Sequence, residues 1–184
     1  MSLPSAAKEI LELLWVHNKP IKASEIAKES GVNFPHTLSV MMHTLGLSRM
    51  GYIKNSKNGY VITQTGREIL GFTEINREKA QQILATMPKQ KAFQFYRDIG
   101  KPLNINAISL TDFYNKILHI EINSLEFHIN RGDFESWFTA LGAAELAKRT
   151  ILLKKQKISK AELRDKFSEI VKNFRDDLIK ISVS

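Results

Sequence analysis

The chain contains no cysteine. That one absence excludes disulfide staples, thiolate nucleophiles and cysteine-held zinc or iron–sulfur clusters. No apolar run approaches the roughly 18 residues that a membrane-spanning helix requires, so no membrane partner is expected. The opening residues, MSLPSAA, have neither the charged start nor the apolar stretch of a signal peptide, and the expected compartment is the cytoplasm. Nothing matches a phosphate-binding loop, a nucleophile elbow or a paired-carboxylate signature. The expectation is therefore no enzyme, no metal and no other cofactor. Internal repeats and low-complexity tracts are missing as well.

What is present is an ordinary globular composition with a basic balance. The 184 residues are 43% hydrophobic and 25% charged, enough for one compact domain or two small ones. Lys and Arg number 27 against 19 Asp and Glu, for a net charge of +8. Such a surplus favours polyanionic partners, nucleic acid before membrane. It is shared: residues 1–73 carry +3 and residues 74–184 carry +5.

Residues 5–17 read as an amphipathic helix ended by Pro20, and residues 21–31 as a short second helix closed by Gly31. Asn33 and Pro35 suit the start of a third helix that runs to about Met50. On a wheel, Leu38, Met42 and Leu45 fall together with Met41 at their border, and the spacing assigns them to the core. His36, Thr37, Val40, His43 and Thr44 fall on the opposite, outward side. After Gly51 two short β-favouring runs, at residues 52–54 and 60–62, flank a tip expected at Asn55-Ser56-Lys57 and then Asn58-Gly59, a hairpin signal. Thr63 then caps a fourth helix.

The segments PIKASEIAKESGVNFPHTLSVMMHTL and GYIKNSKNGYVITQTGREIL resemble the second and third helices, and the wing with its following helix, of winged helix-turn-helix regulators. The likeness covers about residues 5–72. Lys22 stands where those regulators usually place a Ser or Thr cap, and six residues separate Leu45 from Gly51 where four is commoner. The resemblance implies a mainly α fold whose first 73 residues are three helices plus a two-stranded wing, contacting double-stranded DNA. The third helix would lie in the major groove, with His36, Thr37, Val40, His43 and Thr44 as readers. Arg49, Lys54, Ser56 and Lys57 would meet the phosphates. None of the readers is Arg, Asn or Gln, so modest sequence discrimination is expected.

Residues 74–184 read as an all-helical domain. Asp133 is a plausible N-cap for the helix DFESWFTAL, and Ser159 with Glu162 forms a capping box for the last helix. That helix carries an apolar stripe at Leu163, Phe167, Ile170, Val171, Phe174, Leu178 and Ile181, wide enough for a homodimer seam as well as a core. Residues 148–160 hold Lys148, Arg149, Lys154, Lys155, Lys157 and Lys160, a second candidate phosphate-contacting patch or a plain solvated loop. His119, Glu121, Glu126, His128 and Asp133 lie close in sequence but fit no zinc-pair or calcium-loop spacing; a capping Asp133 and a packed His128 are the simpler reading. The string SLEFHINRGDFESWFTALGAAELAKR is similar to a helical family of uncharacterised function found mainly in archaea, which implies a helical fold and no chemistry.

The expectation that emerges is a DNA-binding transcriptional regulator with a helical second domain for dimerisation or partner binding. Two other classes stay open: an RNA-binding or nucleoprotein-scaffold module, and an adaptor whose winged helix docks on protein.

Overall fold

The computed structural model describes residues 3–30, 37–156 and 158–184. It divides into two compact units, Met1–Glu74 and Ile75–Ser184. Helix predominates in both; among the described residues there are ten α-helices and two separate two-stranded antiparallel sheets. No helix is long and apolar enough to cross a membrane among the described residues.

The first unit runs α1 (Ser5–His17), α2 (Ala23–Glu29), α3 (Thr37–Arg49), β1 (Ile53–Ser56), β2 (Gly59–Ile62) and α4 (Gln64–Ile69). Ile10, Leu11 and Leu14 of α1 pack with Ile21, Ile26, Val40, Leu47 and Ile53 in one core. Trp15 stacks on Phe72 with ring centroids 4.5 Å apart, tying the end of the unit to its beginning. Lysine has no acceptor to cap a helix, so at the start of α2 the Glu25 carboxylate does the reciprocal work, accepting from the Lys22 N–H at 3.0 Å. Thr63 caps α4 by accepting from the Gly66 N–H, 3.1 Å.

The hairpin pairs Ile53 with Ile62 and Ser56 with Gly59, leaving Lys57-Asn58 as its tip. Ile21, between α1 and α2, joins this sheet through Ile21 N–H to Tyr60 O at 3.0 Å and Tyr60 N–H to Ile21 O at 2.8 Å. Gly59 permits that crossing: its φ is +130°, and a Cβ there would lie 2.3 Å from the Ile21 carbonyl oxygen.

The second unit corrects the all-helical expectation. After α5 (Arg77–Leu84) and one 3-10 turn (Lys89–Lys91), β3 (Phe93–Asp98) and β4 (Lys101–Ala107) form an antiparallel hairpin. Phe93 and Phe95 point inward while Gln94 is exposed, the period-two alternation of a half-buried strand. Around this hairpin stand α6 (Leu110–Ile117), α7 (Ile122–Arg131), α8 (Asp133–Ala140), α9 (Ala144–Lys155) and α10 (Lys160–Val183). The core is aromatic: Phe113 lies 5.8 Å from Phe93, 5.1 Å from Phe134 and 5.2 Å from Phe138 between centroids.

Leu163, Phe167, Ile170, Val171, Phe174 and Leu178 of α10 are buried in this same core. The stripe that suggested a dimer seam is therefore used within the unit. The capping box opening α10 is present, with Ser159 N–H to Glu162 Oε2 at 3.2 Å and Glu162 N–H to Ser159 Oγ at 3.4 Å. Asp133 is not a cap. Gly132, at φ +78°, both closes α7 and precedes α8, and Asp133 is the first residue of α8.

Candidate nucleic-acid interface

The wheel drawn for α3 separates its two faces correctly, but their inside and outside are exchanged. Val40, Thr44 and Leu47 are completely buried. Leu38 is 68% exposed, Met42 65%, Met41 51% and Leu45 47%. The physical reason lies at the helix exit. Gly51 turns the chain at φ +74°, the Tyr52 N–H returns to the Leu47 carbonyl at 2.9 Å, and Ile53 enters the core directly after. Leu47 must then face the same core as Ile53, and Val40 and Thr44 share its side of the helix. Thr44 tolerates burial because its hydroxyl donates to the Met41 carbonyl at 3.0 Å. Four residues separate the buried Leu47 from Gly51, and six separate the exposed Leu45 from it.

Two of the five expected readers are thus removed: Val40 and Thr44 reach no groove. His36 lies outside the described residues, as does the side chain of Thr37. His43 is half-buried. Among the residues assigned to phosphate, Arg49, Lys54 and Lys57 are exposed, and none forms an ion pair with a described residue. Ser56 is engaged within the hairpin, its hydroxyl donating to the Gly59 carbonyl at 2.8 Å. From residue 30 to residue 67 the chain has no carboxylate.

The second basic patch is largely dismantled by its own partners. Arg149 is 1% exposed and donates to Glu145 Oε1 at 2.9 Å, one turn away on α9. Lys154 donates to the Asn130 carbonyl at 2.6 Å, and Lys160 pairs with Glu126 at 2.6 Å. Lys148 is half-buried on α9, Lys155 is exposed at its end, and Lys157 lies outside the described residues. The stretch is not a free loop, since α9 runs through Lys155.

The titratable residues of the second unit are likewise distributed. Glu121 pairs with Arg97 and Glu126 with Lys160, while His128 and Asp133 meet. Buried His128 accepts from the Tyr96 N–H through Nε2 at 2.8 Å and reaches Asp133 Oδ2 from Nδ1 at 2.7 Å. Burial holds its pKa below the ordinary value, although the Asp133 carboxylate pulls the other way. In the neutral ring Nδ1 carries the proton, and both nitrogens are occupied. His128 is a brace between β3, α7 and α8, with no nitrogen left for a substrate. Beside it opens a shallow cavity of about 300 Å³, walled by Phe93, Tyr96, Phe127 and Arg131. Its acidic groups have partners already: Asp98 accepts from the Ile99 N–H and from Lys101, and Asp133 from Arg131 and His128. Among the described residues no three His, Asp or Glu side chains gather as a metal site would need.

No family model, no curated protein and no solved structure matches the chain.

Proposed function

We propose that the first unit is a winged helix-turn-helix that binds duplex DNA chiefly through its phosphates, within a transcriptional regulator. The observation that carries this reading is the acid-free stretch from residue 30 to residue 67, in which exposed Arg49, Lys54 and Lys57 have no ion partner among the described residues. Three helices followed by a hairpin, with Ile21 bridged to Tyr60, support the assignment of β1 and β2 as the wing. The outward face of α3 carries Leu and Met instead of bidentate hydrogen-bonding side chains, so base discrimination is weak. Binding is then a backbone-positioning interaction, sensitive to salt and tolerant of sequence.

Three phosphate contacts predict a slope of about −2.7 in log affinity against log salt. Fluorescence anisotropy with a labelled duplex across a potassium chloride series measures it. Lys54→Ala and Lys57→Ala should each weaken all sequences alike and flatten the slope by about one unit. An unchanged slope in both variants refutes wing contact with phosphate. Markedly tighter binding to a structured RNA hairpin than to the duplex transfers the site to RNA.

A further inference from the structure

Leu38, Met41, Met42 and Leu45 stand at i, i+3, i+4 and i+7 of α3 and form one solvent-facing stripe. Lone exposed apolar residues are ordinary; four in register on one helix, each about half exposed or more, are not. The stripe offers no hydrogen-bonding group, so pressing it against phosphates or base edges desolvates them without return. It has the spacing by which one amphipathic helix receives another, and its two methionines adapt to varied apolar surfaces.

Charge selects the occupant. Arg49 continues the stripe one turn beyond Leu45, Lys54 and Lys57 stand on the hairpin that follows, and no carboxylate occurs between residues 30 and 67. A second copy of this chain would bring two such cationic sets together, which costs binding energy. A partner with acidic residues beside its apolar face is attracted instead. We propose that the Leu38–Met41–Met42–Leu45 stripe of α3 docks an amphipathic helix of a partner protein whose flanking residues are acidic. The inference goes beyond DNA binding and does not depend on it. Where both occur, the acidic helix and DNA compete for Arg49, Lys54 and Lys57, so the partner displaces DNA.

The test uses the full chain and two synthetic fluorescein-labelled peptides of about 18 residues. Both carry Leu at the i, i+3, i+4, i+7 spacing with Ala; one has Glu at the remaining positions and the other Lys. The Glu peptide is expected to bind at least about tenfold tighter than the Lys peptide, and Met42→Asp with Leu45→Asp to weaken it by about tenfold or more. Lys54→Gln with Lys57→Gln should lower the affinity and its salt dependence together. Should the Asp variant lose its helical circular dichroism, Met42→Ser with Leu45→Ser replaces it, and the ε-methyl NMR signals of Met41 and Met42 report contact in the unaltered chain. Equal binding of both peptides, absent binding of the Glu peptide, or binding indifferent to the stripe variants overturns the proposal. So does a dimer that becomes monomeric in the Met42→Asp chain, because the stripe then belongs to a second copy. Failure of the duplex to bind while the Glu peptide binds removes the DNA reading and leaves the docking site standing.

Discussion

α3 buries Val40 and Thr44 and exposes Leu45, and two alanine substitutions test that orientation. Val40→Ala removes two methyl groups from a fully buried site. At about 0.8 kcal/mol per buried methylene the transfer loss is about 1.6 kcal/mol, and incomplete collapse of the cavity brings the cost to about 2 kcal/mol. Leu45→Ala removes more carbon from a residue already 47% exposed, and alanine favours the helix, so its cost stays below about 1 kcal/mol. In a unit of 74 residues each kcal/mol moves the melting temperature by about 4–8 °C, so Val40→Ala should lower it by about 10 °C. The chain has two tryptophans, Trp15 in the first unit and Trp137 in the second. In a Trp137→Phe background, Trp15 fluorescence follows the first unit alone through its stack on Phe72. A silent Val40→Ala beside a costly Leu45→Ala would refute the reasoning, returning Val40 and Thr44 to the surface and Leu45 to the core.

In the second unit, Glu145→Gln should cost about 3 kcal/mol, because it removes the carboxylate that buried Arg149 meets at 2.9 Å, whereas Glu145→Leu with Arg149→Met recovers most of the loss. Urea unfolding followed by Trp137 decides this, and a Glu145→Gln chain of unchanged midpoint refutes it. His128 is held neutral by burial, so protons bind its unfolded form more readily than its folded form. Its contribution to stability is complete above about pH 6.5 and is lost as pH falls below that value, and His128→Gln should flatten the dependence below about pH 6.5. An identical pH profile in the variant contradicts the brace. Phe174→Ala should cost about 3–5 kcal/mol without altering the mass seen by light scattering, since Phe174 lies in the core of its own unit. A change of mass reinstates α10 as a dimer seam.

Signals that depend on a few adjacent residues were legible in the sequence. The Thr63 cap and the Ser159–Glu162 box each join side chain to backbone over three positions, and both are in place. The first hairpin is present as well, but it turns at Lys57-Asn58, and Asn55, Ser56 and Gly59 belong to its strands. The β3–β4 hairpin was missed because its turn, Ile99-Gly100, has no Asn-Gly or Asp-Gly pair, and irregular pairing beyond Phe95 blurs the alternation. The alternation of Phe93 and Phe95 with Gln94 was the available sign. The basic run at residues 148–160 is neutralised in part from outside itself. Glu126 is far along the chain from Lys160, and Glu145 lies just before Lys148; a count of like charges omits partners brought in by folding.

The orientation of α3 bears most directly on function. Both faces of the helix are apolar enough to be buried, Val40, Thr44 and Leu47 on one side and Leu38, Met41, Met42 and Leu45 on the other, so hydrophobicity alone leaves the choice open. The larger and more apolar set was the natural choice for the core, yet the chain buries the smaller set. Counting back four residues from Gly51 to Leu47 would have settled the phase, because the turn ties Leu47 to Ile53. Once the phase is settled, the surface that would enter a major groove loses the Thr44 hydroxyl and the Val40 methyls and acquires two Leu and two Met. That exchange shifts the balance of attraction on this face from base edges toward the apolar side of another helix, while Arg49, Lys54 and Lys57 keep their pull on anything acidic.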